Sequence, residues 1–391
     1  MINVNDYINK KVNSMEKSVL WEFFDIASQV DGAVSLSVGE PDFDTPWFIR
    51  AEEIDAIESG KTFYTSSYGL PKLRKEVCNY YRRKFDIDFN MNQVMMTVGG
   101  SEAIDLACRT FLDEGDEVII LEPAYIAYKP VIELAGGVCK IIELKEENNF
   151  KLLKEDLENT ITEKTKMILI NFPSNPTGGV MTYEDYEMIV PIIKDNNILV
   201  VSDEIYAELS YEEKFASLAM FDEIKDKVLI INGFSKAYSM TGFRMGYIIA
   251  NEDFIKAMNN IHQYTIINPN TPSQFAAIQA LAKGDTAISE MKNEFERRRN
   301  FLVNNLNRIG LNCPMPKGAF YVFCNIKKSG LSSYDFCLKL VQEYKMVVIP
   351  GIAFGDYGEG YVRISYAYSV DEIKEGIKRI EMFMNDLEKN K

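Results

Sequence analysis

Histidine is almost missing from this chain: the 391 residues hold one, His262. Any mechanism that needs two histidines, such as an H-E-x-x-H zinc site, is excluded, and no metal site is expected. The six cysteines (Cys78, Cys108, Cys139, Cys313, Cys324 and Cys337) form no C-x-x-C pair. In a long chain whose first fourteen residues are polar and lack an apolar signal core, they are expected to be reduced, mostly buried thiols. No apolar run approaches the ~20 residues that span a bilayer. Positive charge is also short, with 43 Lys and Arg against 58 Asp and Glu, a net charge of −15. Such a surface repels phosphate backbones and argues against nucleic-acid binding. No low-complexity tract, no repeat and no G-x-G-x-x-G after an early strand is present, and the last of these disfavours a nicotinamide dehydrogenase. The expectation is a cytoplasmic enzyme.

What remains is an ordinary globular composition, 47% apolar and 26% charged, long enough for a large core and for two or three domains. Short runs rich in Val and Ile recur at 118–121, 167–171, 198–202, 228–232 and 245–250, with a weaker one at 139–144. Strands buried on both faces read this way. Helical patterns at 126–135, 183–196 and 252–261 fall between them, which argues for an α/β fold with a mostly parallel central sheet covered by helices. After about residue 285 the pattern shifts. A charged helix over 290–308 is followed by a strand-like segment at 318–326, a helix at 334–344, a strand at 361–366 and a helix at 370–388, as suits a smaller α+β unit.

In an open parallel sheet, ligands bind beyond the carboxyl ends of the strands. The run at 167–171 is followed by Phe172-Pro173-Ser174-Asn175-Pro176-Thr177-Gly178, and the run at 198–202 by Asp203-Glu204-Ile205-Tyr206. The run at 228–232 leads to Gly233-Phe234-Ser235-Lys236, with Arg244 eight positions further on. Taken singly, each has a bland explanation: a turn, a helix start, a solvated pair. Jointly, at three successive strand ends, they supply an amide, a carboxylate, a phenol, a hydroxyl, an ammonium and a guanidinium. That set matches an aldehyde cofactor with a pyridine ring and a phosphate. An amine is needed for the imine, a carboxylate for the ring nitrogen, and a hydroxyl with a guanidinium for the phosphate. Upstream, Val98-Gly99-Gly100-Ser101-Glu102-Ala103 opens a predicted helix over 102–112, and backbone N–H groups at a helix start bind anions.

These residues resemble the class I/II aminotransferases, fold-type I enzymes that use pyridoxal 5'-phosphate. The resemblance extends to Gly39-Glu40-Pro41-Asp42-Phe43, Tyr64, Gly69, Leu73, Arg74 and Arg363, and covers about residues 30 to 385. It implies a Schiff base on Lys236, a contact of Asp203 with the pyridinium nitrogen, and contacts of Asn175 and Tyr206 with the ring oxygen. Ser101, Glu102 through its backbone, Ser235 and Arg244 would bind the phosphate, and Tyr125 would stack on the ring. Gly39, Asn175 and Arg363 would hold the substrate α-carboxylate. Tyr64 would reach the phosphate of a neighbouring subunit, which implies a homodimer with shared sites. The implied division is an N-terminal segment, 1–45, that joins the small domain and the dimer contacts, a cofactor-binding domain, 46–285, and a small C-terminal domain, 286–391. The implied reaction moves the amino group of an L-amino acid to a 2-oxo acid such as 2-oxoglutarate, in ping-pong fashion through a pyridoxamine form. Tyr125 stands where many aspartate aminotransferases carry Trp, which counts against strict aspartate specificity. Gly-Gly-Ser-Glu-Ala and Glu-Pro-Ala-Tyr look like the branch containing N-acetyl-diaminopimelate and aromatic aminotransferases.

Other motifs lead nowhere. Gly60-Lys61-Thr62 mimics the end of a P-loop, but Asp55 stands where its first glycine belongs, and Ser14-Met15-Glu16-Lys17 lacks the partners of an S-x-x-K enzyme. Glu296-Arg297-Arg298-Arg299 reads as a solvated helix face, and His262 as a structural or surface residue. The pocket's side-chain specificity is expected from loops at 10–40 and 264–272 and from contributions of the partner subunit. The motifs alone leave open a C–S β-lyase using the same cofactor, and a non-catalytic sensor of it.

Overall fold

Alternation within the apolar runs decides which way each side chain points. The computed structural model describes residues 7–15 and 17–389. Its strands are β1 (Val34–Ser35), β2 (Val94–Thr97), β3 (Glu117–Glu122), β4 (Val138–Glu143), β5 (Thr165–Asn171) and β6 (Leu199–Asp203). They continue with β7 (Val228–Gly233), β8 (Gly246–Ile249), β9 (Tyr321–Asn325), β10 (Met346–Val347), β11 (Ile349–Pro350) and β12 (Tyr361–Ser365). A seven-stranded sheet runs in the order β2-β8-β7-β6-β5-β3-β4. Ile119, Ile168, Val200, Ile230 and Ile249 face one side of it, with Tyr81 and Tyr186 in the same core. Val118, Met167, Leu199, Leu229 and Ile248 face the other, with Ala107 and Ile132. Successive residues alternate in this way because a strand has a period of two.

The sheet is parallel from β4 through β7, while β8 runs antiparallel to both β7 and β2. Beside it, β11, β12 and β9 form an antiparallel sheet, and β1 pairs in parallel with β10. Phe23 and Leu36 share a separate core with Phe320, Phe336, Ile377 and Phe383. Phe23 and Leu36 are therefore packed with the last third of the chain. Among the described residues, no helix is long and apolar enough to cross a membrane.

Two expectations need correction. Cys313 and Cys324 are joined in a disulfide, with a Cα–Cα distance of 4.4 Å, while Cys78, Cys108, Cys139 and Cys337 are free. The antiparallel bridge between Asn312 and Asn325 is the reason: it sets the next residues of the two segments side by side, at the close spacing of facing antiparallel residues. The arginine run on the helix Asp285–Arg308 is not wholly solvated either, since Arg298 and Arg299 are buried. Arg298 pairs with Asp42 at 2.7 Å and with Glu294 at 2.8 Å, and Arg299 donates to the Pro316 carbonyl at 3.0 Å.

Candidate active site

Strand register sets the floor of the site. Asn171 ends β5 opposite Asp203, which ends β6, and the chain leaving β7 at Gly233 reaches Lys236 three residues later. Gly246, at the start of β8, pairs with both Gly233 and Thr97, so Arg244 arrives at the same edge as the turn at Gly99–Ser101. These ends open into a cavity of about 380 Å³. Ten of the twelve residues that the sequence singled out line it: Gly39, Ser101, Tyr125, Asn175, Asp203, Tyr206, Ser235, Lys236, Arg244 and Arg363. Glu102 and Tyr64 do not.

Asp203 is buried and fully oriented. One carboxylate oxygen accepts from Tyr128 Oη at 2.7 Å and the other from the Ile205 N–H at 3.2 Å. Burial nevertheless pushes its carboxyl up to about 6, against the pull of those two bonds and of the Lys236 charge. Asn171 braces the same corner, donating to the Asp203 carbonyl at 2.9 Å and accepting from the Asn175 N–H at 3.0 Å.

Lys236 Nζ donates to the Gly39 carbonyl at 2.6 Å. Burial brings its amine down to about 8. Glu40 and Asp203 act against the shift, and Arg363 and Arg244 act with it. Gly39 has no room for a side chain, because a Cβ there would sit 2.0 Å from Tyr321 Oη. Tyr321 in turn shares a 2.8 Å hydrogen bond with Tyr206 Oη.

Arg363 lies on β12 and is buried. Its Nη1 donates to Asn175 Oδ1 at 2.8 Å and its Nη2 to the Ser37 carbonyl at 2.6 Å. The guanidinium is held between the Tyr321 and Phe354 rings, at 4.4 and 4.7 Å from their centroids. Its Nε is buried and has no partner among the described residues. That nitrogen and the remaining hydrogens of the fork can grip a planar anion.

A second anion cradle lies at the other end. Gly99 has φ +75°, and a Cβ on it would stand 2.8 Å from Arg244 Nη2, so only glycine lets the turn and the guanidinium meet. Ser101 and Ser235 line the cavity beside them. The Glu102 side chain points elsewhere, accepting from the Val98 N–H and bonding the buried His262 Nδ1 at 2.7 Å. Tyr64 is 81% exposed. Among the described residues, no group of three or more His, Cys, Asp or Glu side chains could hold a metal ion.

Sequence reading missed Tyr128, Asn171, Tyr321 and Glu40, all of which line the cavity. Tyr128 opens the helix Tyr128–Leu134, three residues after Tyr125, and its ring meets the Tyr125 ring edge-on at 5.4 Å between centroids. Tyr321 lies 115 residues from its partner Tyr206 and had no signal in the sequence. Of the two stretches expected to shape the pocket, 10–40 contributes Leu20, Trp21, Phe24, Val38, Gly39 and Glu40, and 264–272 contributes nothing within this chain.

A family model for class I and II aminotransferases matches residues 31–380. An aspartate aminotransferase of Pyrococcus horikoshii is 40% identical over 378 residues, covering 96% of each chain. An aromatic-amino-acid aminotransferase of Thermococcus litoralis is 38% identical over 383 residues, covering 97% of this chain and 98% of its own. The crystal structure of an aspartate aminotransferase from Thermotoga maritima superposes with a TM-score of 0.92 at 35% identity, covering 97% of this chain and all of that one.

Proposed function

Since this chain belongs to the class I and II aminotransferases, a pyridoxal-phosphate-dependent family, we propose which of its residues carry out the amino-group transfer and how. The observation that carries the reading is the convergence of the Lys236 amine, the Asp203 carboxylate and the Arg363 guanidinium on one cavity.

The residues fit the cofactor on three counts. Asp203 is a buried carboxylate whose raised pKa asks for a cationic partner, which a protonated ring nitrogen would provide. The Gly99–Ser101 turn, Ser235 and Arg244 form a cradle with a guanidinium and two hydroxyls, suited to a phosphate, that a side chain at Gly99 would crowd. Lys236 is an amine held near neutrality at the centre. When bound, pyridoxal phosphate supplies a ring that accepts the electron pair left as the substrate Cα–H bond breaks.

The chain's own residues do the rest. Lys236 would hold the cofactor and, once the substrate's amino group has displaced it, would take the Cα proton at Nζ as the free neutral amine. Asp203 would keep the ring nitrogen protonated, and Tyr128 holds Asp203 in place. Asn175 and Tyr206 would donate to the ring oxygen, and Tyr125 would cover the ring face. Arg363, with Asn175 and the Gly39 backbone, fixes the substrate carboxylate and so turns the Cα–H bond toward Lys236. The amino group then passes to a 2-oxo acid, which we take to be 2-oxoglutarate, in a ping-pong cycle.

We assign cofactor binding to residues 46–285, with 1–45 and 286–391 as the smaller unit. A homodimer belongs to the same reading. Phe63, Tyr64 and Tyr264 are 80, 81 and 85% exposed. Asn268 and Thr271 hold the backbone around Phe63 and Thr65, and the exposed Tyr64 would complete the phosphate site of a second copy. We also place the protein in the cytoplasm, a reading that four free cysteines support and one disulfide does not.

Product analysis tests the reaction. An amino acid plus 2-oxoglutarate should give glutamate and the matching 2-oxo acid. Pyruvate with ammonia in their place would make the chain a lyase.

A further inference from the structure

Above the reacting groups the cavity is capped by side chains that the chemistry does not use. Leu20, Trp21 and Phe24 lie on the helix Val19–Ser28 and line the cavity with Val38, Tyr125 and Ile126. Their spacing sets them on one helical face, and Trp21 meets Phe24 edge-on at 5.5 Å between centroids. The helix is anchored from behind, with Phe23 buried in the smaller core while Leu20 and Phe24 pack against the larger. Trp21 nonetheless remains 63% exposed at the cavity mouth. A large apolar ring left in water beside a cavity gains contact when an apolar ligand arrives.

Charge points the same way. The charged residues among the described lining are Glu40, Asp203, Lys236, Arg244 and Arg363. On the reading above, the three cations are committed to the cofactor, its phosphate and the substrate α-carboxylate. The charge left over, Glu40, is negative. A second carboxylate on the substrate would meet no free cation among the described residues of this chain there, and would shed its water against Leu20, Trp21 and Phe24.

We propose that the amino donor is an L-amino acid with a large apolar or aromatic side chain, and that Leu20, Trp21 and Phe24 select it. This rests on the aminotransferase reading and names its donor class. Glutamate, as the product of the acceptor half-reaction, is outside the comparison. The relevant contrast is phenylalanine or leucine against aspartate.

The experiment measures kcat/KM for the donor half-reaction of the holoenzyme with phenylalanine, leucine, alanine and aspartate. Phenylalanine and leucine should exceed aspartate by about tenfold or more, the discrimination expected when a pocket lacks one partner for a charged group. Trp21→Ala and Phe24→Ala should each lower the phenylalanine value by about tenfold, while alanine changes by less than about twofold. An independent readout uses Trp47→Phe, which leaves Trp21 as the remaining tryptophan of the two. Titration with 3-phenylpropionate should shift its fluorescence at concentrations where succinate does not. Aspartate at or above phenylalanine, or equal losses for alanine and phenylalanine in Trp21→Ala, would overturn the proposal and leave the aminotransferase reading standing. If no amino acid reacts, that reading has failed, and the titration decides alone: succinate binding as tightly as 3-phenylpropionate overturns the pocket assignment as well.

Discussion

Replacing Arg363 by lysine keeps the positive charge and removes the fork. The structure indicates what this costs. The guanidinium already spends one hydrogen bond on Asn175 and one on Ser37, and its buried Nε has no partner among the described residues. A carboxylate docked on the free donors would gain two charge-assisted hydrogen bonds, each worth about 1.5–3 kcal/mol. A lysine ammonium can retain one of them as a point charge but not the planar pair. The loss is that of one such bond, about 1.5–3 kcal/mol, or roughly 10- to 160-fold in kcat/KM for an amino acid donor. The assay is the single-turnover donor half-reaction for phenylalanine and, in parallel, for 2-phenylethylamine, which lacks the carboxylate. The amine should react slowly with both proteins and differ between them by less than about threefold, since it never used the fork. A melting curve checks that the buried substitution still folds. A loss below about threefold for the amino acid, or the same loss for the amine, would refute the assignment of Arg363 to the carboxylate.

Other expectations follow from the same contacts. The Lys236 amine titrates at about 8 in the cofactor-free protein, so capture of pyridoxal phosphate by apoprotein should accelerate as pH rises through 8. A rate still climbing steeply above pH 10, the range of an ordinary lysine, would contradict the environment described. Tyr128→Phe removes a 2.7 Å bond to Asp203 that holds its carboxyl down. The acid limb of the kcat profile should move to higher pH and kcat should fall by about tenfold; an unmoved limb would sever Tyr128 from Asp203. Burial pushes Glu204 up to about 8 from an ordinary 4.5, against hydrogen bonds from Ser217, Ser202 and Tyr81. The folded chain thus keeps a proton that the unfolded chain has lost between those values, and stability falls as pH rises through that window. Glu204→Gln should flatten this dependence and raise the melting temperature by a few degrees at pH 9 while leaving it unchanged near pH 4; parallel curves for the two proteins would count against it.

Much of the fold was legible because strands buried on both faces leave continuous Val and Ile runs, and β3, β5, β6 and β7 all do so. The direction of β8 was not, since a fully buried run reads the same either way. The short β2, Val-Met-Met-Thr, is too brief and too rich in Met to stand out. At the site, residues that follow a strand directly, such as Asp203 and Lys236, could be placed by the rule that ligands sit at strand ends. Residues that support them through long-range contacts could not. Tyr128 meets Asp203 across 75 residues, and Arg298 meets Asp42 across 256. The pairing of Cys313 with Cys324 depends on a bridge between two segments that no spacing rule announces.

The most direct test of the central claim is reductive trapping. The protein is mixed with pyridoxal phosphate, reduced with borohydride, digested and analysed by mass spectrometry, alongside Lys236→Ala. The account predicts one phosphopyridoxyl group per chain, on the peptide that carries Lys236, and both the label and turnover lost in the variant, which still folds. Label on another lysine, or transamination at the wild-type rate by Lys236→Ala, would contradict it.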